Sequence, residues 1–336
     1  MPMIPDSLPA AQAPEGWQQA LTAGFRRVDA LLAHCAIDPT QVDADPDSPF
    51  PLRVTRHYAD LIEKGNPRDP LLLQVLPDTR EALEMAGYGE DPVGDRDAEA
   101  APGLIHKYPG RVLLTLTGAC AIHCRYCFRR HYPYGASVPD IDGAVFDYLR
   151  ARPDIHELIL SGGDPLMWPN ARLAELIEHL GQLPHLRLLR IHSRMPTVLP
   201  ERIDDGLTAL LGRFPGRVTL VIHVNHPREL DRRSATALGR LRQAGVQLLN
   251  QSVLLRGIND RAEVLAALSF RLYEQGVLPY YLHRLDRVQG SAHFDLPDAQ
   301  SCHIHRQLRE RLPGYLLPRM VNEIPGTKSK TPAHCG

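Results

Sequence analysis

The chain of 336 residues lacks long apolar runs and lacks an excess of charge of either sign. Nothing approaches the ~18 consecutive apolar residues of a membrane-spanning helix, so we expect no membrane span. The 38 basic and 39 acidic side chains give a formal net charge of -1. Nucleic acids and anionic membranes are bound by basic surfaces, so we expect neither as a partner.

Secretion features are also absent, and cysteine is sparse. Residues 1–10 show no basic region followed by an apolar core, so we expect no signal peptide. Six cysteines in a chain of this length favour metal or redox chemistry over a disulfide framework. Together these features predict a cytoplasmic enzyme.

Three of the six cysteines lie on one short loop with the spacing C-x3-C-x2-C. These are Cys120, Cys124 and Cys127. A structural zinc site uses four protein ligands, and an ordinary cubane cluster uses four thiolates. Three thiolates therefore suit a [4Fe-4S] cluster whose remaining iron is open to a small molecule. The alternative is a structural zinc loop completed by His123, His131 or Cys302.

The pattern of apolar residues divides the chain into three parts. Residues 1–100 are predicted to be helical, for example over 17–35 and 56–64, and the polar break 91–97 is the predicted domain boundary. After it, strand-like runs alternate with stretches of helical periodicity. The strand-like runs are 111–117, 157–160, 186–192, 218–224, 246–255 and 280–285, and the helical stretches are 171–180, 201–211, 227–243 and 261–275.

Six strands joined by helical crossovers indicate parallel βαβ units, which curl into a complete or partial barrel. We therefore predict an α/β fold with a helical amino-terminal region over 1–100, a partial (β/α)6 barrel over 101–311 and a carboxyl-terminal segment over 312–336. Functional groups in barrels collect at the carboxyl ends of the strands. The cysteine loop, 161–165, 193–194, 225–226, 256–260 and Asp286 occupy such positions.

Several polar residues at these positions are candidates for ligand binding. Gly162 and Gly163 allow close approach of the backbone, and Asp164 offers an acceptor for an ammonium group. His223 and Gln251 lie on predicted strands, where each also has a purely structural interpretation. Farther along the chain, Lys328 and Lys330 lie in a loop interrupted by glycine and proline. Such lysines are usually solvated, but one can also form a Schiff base with pyridoxal phosphate (PLP).

Taken in order, these motifs resemble the lysine 2,3-aminomutase family of radical S-adenosylmethionine (SAM) enzymes, which also use PLP. The resemblance runs from about His106 to Pro332. It implies a [4Fe-4S] cluster on the three cysteines of the loop, Lys330 as the lysine that holds PLP, and Arg111 near the PLP. Residues near bound SAM would be Gly162, Gly163, Asp164, Ser193, His223 and Gln251.

The resemblance also implies a substrate site. Arg129 matches the residue that binds the substrate carboxylate, and Asp286 and Glu323 match the acids that bind its distal ammonium. A lysine side chain, with a pKa of ~10.4, enters a closed pocket charged and needs such acids. Lysine is therefore the predicted substrate, and glutamate 2,3-aminomutase is the alternative. A zinc-stabilised binding protein is the alternative from another class. Glu323 stands where the family usually has aspartate.

The sequence ends six residues after Lys330, without the carboxyl-terminal extension of the catabolic family members. This short form is most similar to the branch that supplies β-lysine, in the R form, for β-lysylation of elongation factor P. The similarity implies a pathway link to elongation factor P and its ligase. It also implies a reductase or flavodoxin-type electron donor, and it leaves a homo-oligomer open.

Overall fold

The structure is a computed structural model, and it describes residues 16–333. Residues 1–10, where we expect no signal peptide, and Cys335 lie outside this range. Four short helices begin the described chain, and two of them have clear start signals. The side chain of Thr55 caps the third helix, and Asp69, followed by proline, caps the fourth. These helices are α1 (Gly16–Thr22), α2 (Val28–His34), α3 (Arg56–Asp60) and α4 (Pro70–Leu73).

The prediction of one helical segment over 17–35 was wrong. The chain leaves the helix after Thr22, and Phe25 pairs with Val54 in an isolated antiparallel bridge. Gly24 permits this close approach, because a Cβ atom there would lie 2.6 Å from the carbonyl oxygen of Val54. Tertiary pairing therefore overrides the helical pattern at this point.

From Glu99 onward the chain alternates strands with helices. In order, the elements are β1 (Glu99–Ala101), β2 (Leu104–Tyr108), β3 (Arg111–Thr117), α5 (Phe146–Arg150), β4 (Glu157–Gly162), α6 (Asn170–Gly181), β5 (Leu188–Ser193), α7 (Met195–Val198), α8 (Asp205–Leu211), β6 (Arg217–His223), α9 (Arg232–Gln243), β7 (Gln247–Val253), α10 (Ala262–Glu274), β8 (Leu278–His283), α11 (Asp298–Arg311), β9 (Arg319–Asn322) and β10 (Thr331–Pro332).

The described strands form one sheet in which the spatial order equals the sequence order. Strands β3 to β9 are all parallel, and helical crossovers connect them. The sheet ends in an antiparallel partner on each side, β1–β2 at one edge and β9–β10 at the other. Because β1 and β10 are not paired with each other, the barrel is partial, as predicted, with β9 as an additional parallel strand.

Alternating side chains give each parallel strand an inner and an outer face. On β3, Val112, Leu114 and Leu116 are at most 5% exposed and belong to the main apolar core, whereas Leu113 lines the interior cavity. The main core runs from Trp17 to Val277. A smaller cluster joins residues of β8, β9, α10 and α11. The fold thus directs the polar ends of the strands toward one cavity.

Between residues 16 and 333, no helix combines the length and apolar character needed to cross a bilayer.

Candidate active site

A cavity of about 350 Å³ lies at the carboxyl ends of the parallel strands. Its size falls in the ordinary range of small-molecule sites. It gathers all but one of the residues predicted from sequence: Cys120, Cys124, Cys127, Arg129, Gly162, Gly163, Asp164, Ser193, His223, Gln251, Asp286, Glu323 and Lys330.

Arg111 is the predicted residue that the cavity wall does not include. Its guanidinium carbon lies 4.8 Å from the ring centroid of Tyr108, at the amino end of β3. Two residues further along the same face of β3, Leu113 does line the cavity. Arg111 therefore lies on the same face of β3 as Leu113 but two residues closer to the amino end of the strand, outside the cavity lining.

The three loop cysteines are enclosed at one end of this cavity. Burial raises the pKa of the Cys127 thiol to about 11 and that of Cys120 well above its usual range. The neighbouring Cys124 adds to both rises. The Nη1 atom of Arg194 lies 2.8 Å from the sulfur of Cys124. The thiols thus share one enclosed space beside a fixed cation.

The arrangement gives the zinc alternative no support. In residues 16–333, no group of three or more His, Cys, Asp or Glu side chains could hold a single metal ion. Zinc needs ligands that converge within about 2.0–2.3 Å of one point, whereas each thiolate of a [4Fe-4S] cluster binds a different iron. His123 bonds the carbonyl oxygen of Pro51, His131 bonds that of Gln289, and Cys302 packs against the smaller apolar cluster.

A fully buried arginine inside the loop anchors it to the amino-terminal region. The Nε atom of Arg125 donates to Glu81 at 2.7 Å, and its Nη1 atom donates to the carbonyl oxygen of Phe50 at 2.7 Å. Its Nη2 atom donates to the hydroxyl of Ser48 at 3.1 Å. Sequence reasoning missed this role, because Glu81 lies 44 residues away and only the fold brings it beneath the loop.

The two glycines after β4 let neighbouring backbones approach each other. A Cβ atom on Gly162, whose φ is +120°, would lie 2.5 Å from the carbonyl oxygen of Thr117. One on Gly163 would lie 2.4 Å from that of Ala119. The glycines thus join the end of β4 to the start of the cysteine loop.

Asp164 holds the ends of two strands together. Its carboxylate accepts hydrogen bonds from the Ser193 hydroxyl at 2.9 and 3.0 Å and from the backbone amide of Arg194 at 2.8 Å. Another bond comes from the amide of Leu166. Burial raises the pKa of Asp164 to about 6, although these bonds oppose the rise. Asp164 and Ser193 are therefore engaged with each other rather than left free in the cavity.

Three neutral histidines contribute unsatisfied polar atoms to the wall. The buried Nε2 atoms of His192, His223 and His283 have no hydrogen-bond partner within the described chain. Burial lowers the pKa of His223 to about 3 and those of His192 and His283 well below their usual range. Gln251 lies opposite His223 in the β6–β7 register. Buried polar atoms are normally paired in native proteins, so such a wall fits a polar ligand.

The predicted acids and the predicted PLP lysine meet at the other end of the cavity. Lys330 forms an ion pair with Glu323, and its Nζ atom lies 5.9 Å from the ring centroid of Tyr281. Burial would raise the pKa of Glu323, but Lys330 and Lys107 outweigh it and hold the value at about 2. Burial, together with the charge of Glu323, raises the pKa of Asp286 to about 7. Lys328 is exposed.

Arg129 is held by two partners at the edge of the cysteine loop. Its Nε atom donates to Asp95 at 2.7 Å, and its Nη1 atom donates to the hydroxyl of Ser161 at 2.8 Å. Asp95 belongs to the segment 91–97, which the sequence indicated only as a polar break. Charged residues in such a break are ordinarily solvated, so no sequence signal pointed to Asp95.

Comparison with known proteins gives close relatives over most of the chain. An L-lysine 2,3-aminomutase from Escherichia coli is 47% identical over 323 residues, which cover 95% of this chain and 94% of the relative. The corresponding protein from Haemophilus influenzae is 46% identical over 284 residues, 84% of each chain. One from Clostridium subterminale is 39% identical over 84% of this chain and 68% of the relative.

This chain belongs to the lysine 2,3-aminomutase family. Like other members of the lysine 2,3-aminomutase family, it is an isomerase of the aminomutase type. No family model matches the chain. Among solved structures, a radical SAM methyltransferase from Sphaerobacter thermophilus aligns with a TM-score of 0.45 and 17% identity, over 65% of this chain and 68% of the other.

Proposed function

We propose that this protein is a cytoplasmic enzyme that converts L-lysine into β-lysine, in the R form, with the help of a [4Fe-4S] cluster, SAM and PLP. The observation that carries the proposal is the charge pattern of one cavity. Arg129 lies beside the cysteine loop, Asp286 and Glu323 line the same space, and Lys330 contacts Glu323. The relatives' name, L-lysine 2,3-aminomutase, supports the same substrate.

The sign of these charges favours lysine over glutamate. Bound lysine would present a carboxylate to Arg129 and a distal ammonium to Asp286 and Glu323. Bound glutamate would bring a second carboxylate toward these two acids, and like charges in an enclosed site repel strongly. The cavity therefore supports a diamino acid as the substrate.

The residues present fit the proposed cofactors. Three enclosed thiols on one loop suit the cluster, the unpaired Nε2 atoms suit a polar ligand such as SAM, and Lys330 offers its amine to PLP inside the cavity. When bound, the cluster supplies the electron that cleaves SAM, and PLP supplies the carbonyl that holds the migrating amine. The glycines 162 and 163 keep the cysteine loop packed on β4 beneath that site.

The protein's own groups would bind, orient and protect the reactants. Arg129 would fix the substrate carboxylate, and the two acids would fix the distal ammonium, so that one carbon faces the radical. The ion pair with Glu323 holds the Nζ atom of Lys330 within the cavity, where that amine would engage PLP. The enclosing strand ends exclude water and other external reactants, which limits side reactions of the reactive intermediates.

Anaerobic incubation with lysine, SAM, PLP and a chemical reductant, followed by chiral analysis of the amino acids, tests the proposal. We expect β-lysine of the R form from lysine and no product from glutamate. The variant Cys124→Ala should retain its circular dichroism spectrum but lose the iron absorbance and SAM cleavage. Undiminished turnover by this variant, or product from glutamate alone, would contradict the assignment.

Reduction with borohydride in the presence of PLP, followed by peptide mapping, tests the lysine. The label is expected on Lys330, because its amine faces the cavity while that of Lys328 is exposed. Lys328→Met is the matched control and should still be labelled, whereas Lys330→Met should not. A label on Lys328 in the unaltered protein would overturn this choice.

We further propose that the β-lysine is destined for β-lysylation of elongation factor P, with a flavodoxin-type protein or reductase as electron donor. The Glu323-Ile pair and the Tyr-Tyr-Leu-His-x-x-Asp stretch over 280–286 support this assignment. A coupled reaction with elongation factor P and its ligase tests it. The mass of the factor should rise only when this enzyme, lysine and SAM are all supplied.

A further inference from the structure

Four charged side chains form a continuous series of ion pairs whose two end members line the cavity. Arg129 pairs with Asp95 at 2.7 Å, Asp95 pairs with Lys107 at 2.6 Å, and Lys107 pairs with Glu323 at 3.3 Å. We call this series the ion relay. None of its side chains is more than 17% exposed. Charge pairs shielded from water in this way interact strongly and hold their geometry.

The relay begins and ends on the two proposed substrate anchors. Arg129 is the anchor for the carboxylate, and Glu323 is one of the anchors for the distal ammonium. The two central residues belong to the amino-terminal edge of the sheet: Asp95 lies just before β1, and Lys107 lies on β2. One edge of the open barrel thus connects the cysteine loop to the segment after β9.

Each anchor has one polar atom that the relay itself does not engage. Lys107 occupies the Oε1 atom of Glu323, so the Oε2 atom faces Lys330 and the cavity. The Nε atom of Arg129 is taken by Asp95 and the Nη1 atom by Ser161, while Nη2 has no hydrogen bond within the described residues. The relay therefore orients both anchors and leaves one face of each for a ligand.

Backbone contacts fix the middle of the relay. Lys107 also donates to the carbonyl oxygen of Val93 at 2.7 Å. The carboxylate of Asp91 accepts from the backbone amide of Asp95 at 2.9 Å and from that of Arg96 at 3.0 Å. Asp95 and Lys107 can therefore move little relative to each other.

We propose that the ion relay sets the distance between the carboxylate anchor and the ammonium anchor and so selects the length of the diamino acid. This inference rests on the proposed function, and it assigns Asp95 and Lys107 as positioning residues. With the anchors fixed, lysine satisfies both. Ornithine, one methylene shorter, would leave one buried charge unpaired.

The size of the loss in kcat/KM for ornithine distinguishes selection by the relay from selection by apolar packing alone. A missing methylene in an apolar pocket changes kcat/KM by about 10–200-fold. An unmet buried charge costs more, because its desolvation is not repaid. With a rigid relay, kcat/KM for ornithine should therefore be lower than that for lysine by more than about 200-fold. In a variant with a broken relay, the difference should return toward about 10–200-fold.

The test compares lysine with ornithine in Lys107→Met and Asp95→Asn variants of the full, anaerobically reconstituted protein. The ratio of kcat/KM for the two substrates is measured, and calorimetry without reductant measures the ratio of dissociation constants. We expect both variants to lower each ratio at least about tenfold. The double variant should lower it little further, because one break already disconnects the series.

Two further variants keep the result interpretable. Lys107→Arg retains the charge and should retain most of the selectivity, and Lys328→Met repeats the substitution on an exposed lysine and should leave both ratios unchanged. An equal loss for both substrates with unchanged ratios would overturn the inference. Absence of any lysine turnover in the unaltered protein would instead contradict the proposed function, a result that the binding ratios keep distinct.

Discussion

At the scale of single residues, the cavity shifts the pKa values of two carboxyl groups, Glu323 and Asp286, in opposite directions. Glu323 touches Lys330 and Lys107 and has a pKa of about 2, whereas burial and the charge of Glu323 raise the pKa of Asp286 to about 7. A pair of acids with separated pKa values indicates distinct roles. Glu323 carries a permanent charge at neutral pH, and the charge of Asp286 depends on pH.

The affinity for lysine should therefore depend on the ionisation of Asp286. A carboxyl group with a raised pKa is protonated below that pKa and charged above it, so binding of the ammonium should strengthen as the pH rises through about 7. Below pH 7 the dissociation constant should increase up to about tenfold per pH unit, as expected for one linked proton. Calorimetry between pH 5.5 and 8.5 measures this slope.

Matched variants separate Asp286 from its neighbours in this measurement. Asp286→Asn should bind lysine weakly and without the pH dependence. Glu323→Gln should also bind weakly but keep the pH dependence, shifted to lower pH, because loss of the Glu323 charge lowers the pKa of Asp286. Lys330, Lys107 and Asp95 also act on Asp286, but His192 and His283 are held neutral in this window. A slope that persists in Asp286→Asn would assign the proton to another group.

The same scale shows which site residues a sequence reveals. Arg129 and Lys330 lie inside recognisable motifs, so their positions in the cavity could be predicted. Lys107 could not be found this way, because its partner Glu323 lies 216 residues further along the chain. Ion pairs between distant segments leave no local pattern, and only the closure of the sheet reveals them.

At the scale of elements, the junction between β3 and β4 depends on a residue without a side chain. Gly162→Ala would place a Cβ atom 2.5 Å from the Thr117 carbonyl oxygen and would also strain a residue with φ of +120°. Overpacking and backbone strain each cost about 1–3 kcal/mol, so we expect a loss of stability of about 2 kcal/mol or more. Urea unfolding measures this loss, and iron content after reconstitution reports on the loop.

Gly245→Ala is the matched control for this variant. Its φ is +79°, and nothing lies within 4 Å of the added Cβ atom, so it incurs the backbone cost alone. That cost is about 1–2 kcal/mol, and the iron content should stay normal. Equal effects of the two substitutions would show that contact with Thr117 does not matter.

Elements with strong periodicity were predicted well, and short edge elements were not. The run 111–117 coincides with β3, because Val112, Leu114 and Leu116 alternate with residues facing the interior. The two-residue strand β10 and the three-residue strand β1 are too short to show a period. Their formation depends on the neighbouring strands, which sequence inspection did not identify.

At the scale of the whole molecule, the amino-terminal helices and the barrel share one apolar core. That core includes Trp17 and Leu72 from the helical region together with strand residues of the barrel. Polar contacts cross the same interface: Gln74 donates to Glu229 at 3.2 Å, and Arg125 pairs with Glu81. The boundary predicted near residue 100 thus separates types of element, and its thermodynamic meaning can be tested.

We expect the two regions to unfold together, and the two tryptophans of the chain allow a direct measurement. Trp17 lies in α1 and is 3% exposed, whereas Trp168 lies in the barrel and is 5% exposed. The variants Trp17→Phe and Trp168→Phe each leave one fluorescent reporter. After correction for the stability change caused by each substitution, they should give the same urea midpoint. Arg125→Met should lower both midpoints, with a loss of stability of about 1.5–3 kcal/mol, because Glu81 loses the bonds from Arg125 and keeps its ion pair with Arg130. Arg150→Met, which removes an exposed ion pair with Asp147, should change them by less than about 0.5 kcal/mol. Two separate midpoints would instead show that the helical region unfolds as an independent domain, since two regions that share one core are expected to unfold cooperatively.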